Sequence, residues 1–187
     1  MRDGVIFGRG KGNADWNFSA PHGARRILKR TEVKNQHTLS EFKLEFFLYE
    51  AIFIPEGIEP PPREIIFSPE LQIYIKNFGE GRADFCFVAE IDKKIVGAAW
   101  SRIMNDYGHI DDQTPSLALS VLKNYRHQGI ATTLMKNLLE KIFVEGFQQV
   151  SLSVQKENEI ALNFYKKFGF EIYRENNDDL IMICKNL

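Results

Sequence analysis

Hydrophobic and polar positions along the chain repeat with two periods. Between Ile130 and Ile142 an aliphatic residue returns every fourth place, at Ile130, Leu134, Leu138 and Ile142. That spacing draws one apolar stripe down a helix. In QVSLSVQ, by contrast, Val150, Leu152 and Val154 alternate with polar residues, as in a half-buried strand. The same reading orders the rest of the chain. ILKRTEV, from Ile27, predicts a strand, and Thr38 or Ser40 caps a helix through EFKLEFFLYEAIF. Three consecutive prolines in IPEGIEPPPREI exclude helix and central strand, leaving a stiff loop. SPELQIYIKNF predicts a short helix with Ser68 as its cap and Pro69 in its first turn. DFCFVAEIDKKIVGAAWSRIM predicts a hairpin turning at residues 92–94, and SLALSV a further strand beyond a loop rich in Asp and Gly. NEIALNFYKKFG predicts a helix stopped by Gly169, and FEIYRE with DLIMICK a closing strand pair around NNDD. Before Ile27 only GVIFG offers a short strand. There is no internal repeat and no low-complexity tract.

Composition narrows the class. A chain of 187 residues suits one domain, with or without an appendage, and can bury a real core. With 44% hydrophobic and 26% charged residues, the bulk of it is not disordered. The 24 basic and 25 acidic side chains nearly cancel, which excludes a general field for nucleic acid or membrane and makes any anion site local. Cys86 and Cys184 each sit in an apolar run and read as reduced core thiols, with no metal site or disulfide framework expected. The longest greasy stretch, FFLYEAIFI, is cut by Glu50 and too short to span a bilayer, and no basic-then-apolar leader opens the sequence. The expectation is a cytoplasmic protein without nucleic-acid or membrane partners.

Candidate chemistry begins at NYRHQGIATTLMKNLL, where Gly129 lies between a predicted strand and the striped helix. A helix N-terminus offers free N–H groups and the positive end of its dipole, a natural seat for phosphate. Gly129 lets the backbone approach such a group, Arg126 adds charge, and Thr132 and Thr133 add hydroxyls. No Gly-Lys-Ser/Thr and no G-x-G-x-x-G is present, so this is not a nucleotide P-loop. On this stretch alone an ordinary turn explains the glycine equally well. Further on, NEIALNFYKKFGFE puts Asn158, Ala161 and Tyr165 on one helical face. The Tyr165 ring can pack beside Phe164 and Phe168, although phenylalanine would fill that space as well.

Together the two segments resemble the GCN5-related N-acetyltransferase (GNAT) superfamily. Its first motif, Gln/Arg-x-x-Gly-x-Gly/Ala, is matched by Arg126, Gly129 and Ala131. Its second, Asn-x-x-Ala-x-x-x-Tyr-x-x-x-Gly-Phe, is matched by Asn158, Ala161, Tyr165, Gly169 and Phe170. The resemblance spans about residues 27 to 187. It implies an α/β fold whose mixed, mostly antiparallel sheet is flanked by helices on both faces. It also implies acetyl-CoA as acyl donor, its pyrophosphate on the turn of Arg126, His127, Gln128, Gly129, Ile130 and Ala131, with Thr132 and Asn158 beside it. The pantetheine would lie along Leu119, Ser120 and Val121 like an added strand. A primary amine of a small molecule or peptide would attack the thioester directly, with Tyr165 protonating the departing thiolate.

The base is less defined. Asp111 and Asp112 in HIDD precede the cofactor strand, and Asp112 is the candidate, though a loop cap is the plainer role for either. Glu50 and Glu56 are candidates for binding a cationic substrate. His127 is expected to face solvent. No cysteine stands beside a histidine, so no covalent acyl-enzyme is expected. A non-catalytic acetyl-CoA sensor or scaffold is the alternative, and it would keep the turn without needing the Tyr165 acid.

The first 43 residues resemble something else, a late segment of the RNA-splicing ligase family. There SAPHGAGR is followed by a serine-arginine pair. Here Ser19, Pro21, His22, Gly23 and Ala24 match, but Arg25 replaces a glycine and Lys29 a serine. His22 aligns with the histidine that takes the guanylate, yet the metal ligands and pocket of that family come from several hundred residues absent here. The expectation is a remnant or tail over residues 1–26, without ligase activity, ahead of an acetyltransferase domain over 27–187.

Overall fold

The computed structural model describes residues 44–186, together with the main chain of residues 6–8 and 31–35. The expected caps Thr38 and Ser40, and the SAPHGARR segment with His22, lie outside the described residues. The strands are β1 (Ile6–Gly8), β2 (Thr31–Asn35), β3 (Phe85–Ile91), β4 (Lys94–Arg102), β5 (Ser116–Val121), β6 (Gln149–Gln155), β7 (Glu171–Glu175) and β8 (Asp179–Lys185). The helices are α1 (Leu44–Ala51), α2 (Pro69–Gln72), α3 (Ile130–Val144) and α4 (Glu159–Lys166). The strands form one sheet in the order β1-β2-β3-β4-β5-β6-β8-β7. Pairing is parallel between β1 and β2 and between β5 and β6, and antiparallel elsewhere. The mixed, mostly antiparallel α/β sheet is therefore as expected.

Each face carries its own core. On one side, alternate residues of the central strands meet Ile130, Leu134, Leu138 and Ile142, all buried, and α4 packs Ala161, Phe164 and Tyr165 against the same cluster. On the other side Leu44, Phe47 and Leu48 of α1 and Tyr74, Ile75 and Phe78 cover Cys86, Val88, Ala98 and Trp100. The aliphatic stripe thus buries α3, while the other parity of the strands faces α1. No helix among the described residues is long and apolar enough to cross a membrane.

The structure corrects several local expectations. The hairpin turns on Asp92 and Lys93 alone, both left-handed with φ 48° and 63°, so Lys94 already belongs to β4. Two successive positive φ values give the turn a twist that matches its strands. α2 starts at Pro69 with Ser68 at its cap position, but Ser68 makes no capping side-chain bond and the α-helix ends at Gln72. Arg102 explains the early stop, because its Nη1 donates to the carbonyls of Ile73 and Lys76 at 2.9 and 2.8 Å and holds the chain in turns. That guanidinium also pairs with buried Asp84 at 3.1 Å. The proline loop leads into a 3₁₀ turn, Arg63–Phe67, that periodicity did not reveal. Arg63 stacks over Phe46 and Tyr49, and the Tyr49 hydroxyl donates to the Pro61 carbonyl at 2.6 Å, which fastens the loop to α1. Finally, β6 is not half-buried throughout: Ser151 is fully enclosed.

Candidate active site

β5 and β6 pair at one position, Ser116 opposite Ser151, where the Ser151 N–H donates to the Pro115 carbonyl at 2.9 Å. Beyond it the strands part and leave a wedge open toward the C-terminal end of β5. The register with β4 decides which groups line the wedge. Leu122 N–H donates to the Val96 carbonyl at 2.9 Å, so the main-chain groups of Ser116, Ala118 and Ser120 point to β4. Those of Leu117, Leu119 and Val121 point away from β4, toward the wedge. The Val121 carbonyl accepts from Arg126 Nε at 2.9 Å, which ties the following turn back to the strand.

That turn runs from a 3₁₀ segment, Lys123–Tyr125, into α3. His127 is left-handed with φ 61° and exposed, a strained conformation for a side-chain-bearing residue. Gln128 donates from Nε2 to the Asn124 carbonyl at 3.3 Å. Gly129 occupies the N-cap of α3 at φ 80°, and no capping side chain bonds the helix end. The first i→i+4 bond of α3 is Thr133 N–H to the Gly129 carbonyl, at 3.0 Å. The amides of Ile130, Ala131 and Thr132 are thereby left for an outside acceptor. A Cβ at Gly129 would meet nothing within 4 Å, so the space next to the turn is open. Arg126 and Thr132 are exposed around it.

Tyr165 lies on α4, half-buried, with ring centroids 5.6 Å from Phe164 and 5.7 Å from Phe170. Its packing partner is thus Phe170 as well as Phe164, while Phe168 stacks on Phe164. Its hydroxyl makes no hydrogen bond among the described residues, and burial pushes the phenol up to about 12. Asn158 is the N-cap of α4, where its Oδ1 accepts from the Ala161 N–H at 3.1 Å. One amide oxygen of this expected cofactor contact is therefore already engaged.

The other sequence candidates lie on elements other than β5, α3 and α4. Asp112 is exposed on the loop ahead of β5, where its carbonyl accepts from Arg82 at 3.1 Å. Asp111 is exposed too and turns the same loop, accepting from the Gln113 N–H at 2.8 Å, the capping role weighed for it. Glu50 is half-buried in the last turn of α1, and Glu56 is exposed in the loop beyond. Cys86 and Cys184 are buried thiols, both pushed up by desolvation.

Sequence reading missed a polar cluster at the closed end of the wedge. Asp106 accepts from the Tyr74 hydroxyl at 2.9 Å through Oδ2 and from Ser116 Oγ at 2.8 Å through Oδ1. Ser116 Oγ also lies 3.0 Å from Ser151 Oγ. The available signal was serine at buried strand positions 116 and 151 next to an aspartate-bearing loop.

The residues present suit an extended, phosphate-bearing acyl donor. The wedge offers unpaired main-chain groups, Ser120 Oγ is buried on the same strand without a partner, and the helix end above it is open. A family profile described as the acetyltransferase (GNAT) family matches residues 50–170. The chain belongs to the acetyltransferase (GNAT) family. A relative is an N-alpha-acetyltransferase of Sulfurisphaera tokodaii, 33% identical over 106 residues, which cover 52% of this chain and 62% of the relative. The match thus spans less than two thirds of that protein. An uncharacterised N-acetyltransferase of Methanocaldococcus jannaschii is 28% identical over 138 residues, 70% of this chain and 85% of that one. Among solved structures, the PaiA N-acetyltransferase of Thermoplasma acidophilum in complex with coenzyme A superposes with a TM-score of 0.62. It is 21% identical and covers 83% of this chain and 99% of its own, a likeness of fold.

Proposed function

We propose that this GNAT-family chain transfers an acetyl group from acetyl-CoA to a primary amine by direct attack on the thioester. The observation that carries the reading is the wedge between β5 and β6, open beside an uncapped α3. In this reading the amides of Ile130, Ala131 and Thr132 and the turn of Arg126, His127, Gln128 and Gly129 hold the pyrophosphate. Leu119 and Val121 bond the pantetheine as an added strand, and Ser120 gives its unpartnered hydroxyl. Tyr165 donates its proton to the departing thiolate. A phenol raised to about 12 stays protonated at neutral pH and so is ready to donate.

The acceptor class we favour is the free α-amine of a peptide or protein, which relatives named N-alpha-acetyltransferase support. Glu50 and Glu56 would then face a cationic N-terminus from the α1 side. We place the protein in the cytoplasm on its balanced charge and unpaired thiols. The ligase-like N-terminal segment we read as a remnant, so GTP with a divalent metal should leave no guanylate on His22.

A thiol-release assay with acetyl-CoA and an N-terminal peptide panel tests the function. Peptide-dependent release of free thiol with acetylated product supports it. Tight acetyl-CoA binding without release on any amine supports the sensor alternative instead.

A further inference from the structure

The polar cluster at the closed end of the wedge has a direction. Val150, Leu152 and Val154 turn to the α3 side, so Ser151 and Ser153 turn to the α1 side, where Ser116 joins them. Tyr74 belongs to the core on that side, and Asp106 reaches it from the loop between β4 and β5. The loop lies directly on β6: a Cβ on Gly108 would stand 3.1 Å from the Leu152 carbonyl carbon and the Ser153 nitrogen. Ser116 gives its proton to Asp106, so Ser151 is the donor in the serine pair. Tyr165 stands on the other face, with α4. A thioester in the wedge would therefore have a phenol on one side and a carboxylate on the other.

We propose that Asp106 is the proton acceptor for the incoming ammonium, held in place by Tyr74 and Ser116. The assignment rests on the acetyltransferase reading and replaces exposed Asp112 as the base. Asp106 is half-buried, within reach of solvent yet enclosed by hydroxyls. Burial raises its carboxyl above the ordinary range, against hydrogen bonds from Ser116, Tyr74 and the Gly108 amide that lower it. A stronger base is the consequence. The titratable and charged groups around it are Tyr74 opposite, Tyr107, His109, Asp111 and Asp112 along its own loop, and Arg174 of β7, whose guanidinium donates to the His109 carbonyl at 2.9 Å; β5 and β6 bring only serines. The ammonium gives one proton to the Asp106 carboxylate. The freed lone pair forms the C–N bond, the C–S bond breaks, and its electron pair leaves on sulfur, which takes the Tyr165 proton. The second nitrogen proton returns to Tyr165, and Asp106 releases its own to solvent. The products are an amide, a free thiol and a proton.

A base is needed only where the acceptor nitrogen arrives protonated, and that separates catalysis from mere support. The probes are a peptide with a free α-amine and the same peptide carrying a neutral aminooxy group in its place. At a pH of about 6.5 the α-amine, with a pKa of about 7.7–8.0, is mostly protonated. Asp106→Asn should lose about a hundred-fold in kcat/KM on the α-amine, within the usual worth of one base, and less than about three-fold on the aminooxy peptide. Its acetyl-CoA thermal shift should match wild type. Equal losses on both acceptors, or no loss on either, overturn the proposal. Wild type inert toward both acceptors overturns the acetyltransferase reading, and this proposal with it. If Asp106→Asn does not fold, Tyr74→Phe carries the test. Removing a hydrogen bond that lowers the Asp106 pKa must move the acidic limb of kcat to higher pH, and an unmoved limb overturns the assignment.

Discussion

The two ends of β5 are built from different kinds of information. At its C-terminal end, Val121 leads through Arg126 and Gly129 into α3, and every part of that turn is contiguous in the chain. At its N-terminal end, Ser116 meets Asp106 ten residues upstream and Ser151 on β6, and Asp106 also accepts from Tyr74, which precedes the β3–β4 hairpin in the chain. The first end works through backbone, with free amides and a left-handed glycine. The second works through side chains, each paired with another. An anion site of the first kind needs only local geometry, whereas a proton-handling cluster of the second kind exists only after the sheet has closed.

The contrast predicts which property each end controls. Gly129→Glu should have the largest effect, eliminating the rise in Tm that acetyl-CoA gives the wild type by mass action. The added Cβ meets no atom within 4 Å, and the left-handed φ costs only about 1–2 kcal/mol, so the fold should survive. Gly129→Asn, which tolerates that conformation, should keep most of the shift. Equal shifts in wild type and the Glu variant would remove the anion site from the turn.

Tyr165→Phe should lower kcat by roughly ten-fold to a thousand-fold, the worth of one positioned proton donor. KM for the acceptor, acetyl-CoA affinity and Tm should hardly move, because the ring stays against Phe164 and Phe170. In the wild type, loss of this proton should not depress kcat until the pH nears about 12, later than an ordinary phenol near 10. Unchanged turnover in the variant would leave Tyr165 a packing residue. Asp112→Asn should have the smallest effect, below about two-fold in kcat/KM, as for an exposed side chain away from chemistry. A loss as large as that of Asp106→Asn would return the base to the loop tip and undo the contrast between the two ends.

Legibility in the sequence followed the same division. The stripe at Ile130, Leu134, Leu138 and Ile142 and the alternation in β6 are periodic, so burial and element type could be read directly. Gly129, Asn158 and Gly169 are capping positions and speak through local backbone geometry. Asp106 carries no such mark: beside Asp111 and Asp112 it is one more aspartate in a polar loop, and only Tyr74 and Ser116 make it different. The predicted helix from Ser68 is longer than α2 for a related reason, since the guanidinium that takes the carbonyls of Ile73 and Lys76 just beyond it comes from β4. Ser151 looked solvent-facing because alternation cannot show that a loop covers the second face of a strand.

If the donor pairs with the open edge of β5, amide hydrogen exchange reads that pairing residue by residue. The N–H groups of Ala118 and Ser120 already face β4, while those of Leu119 and Val121 face the wedge. Saturating acetyl-CoA should slow exchange at Leu119 and Val121 by at least about ten-fold more than at Ala118 and Ser120, as expected for amides newly bonded in a ladder. Uniform protection of both sets, or none at all, would remove the donor from this edge.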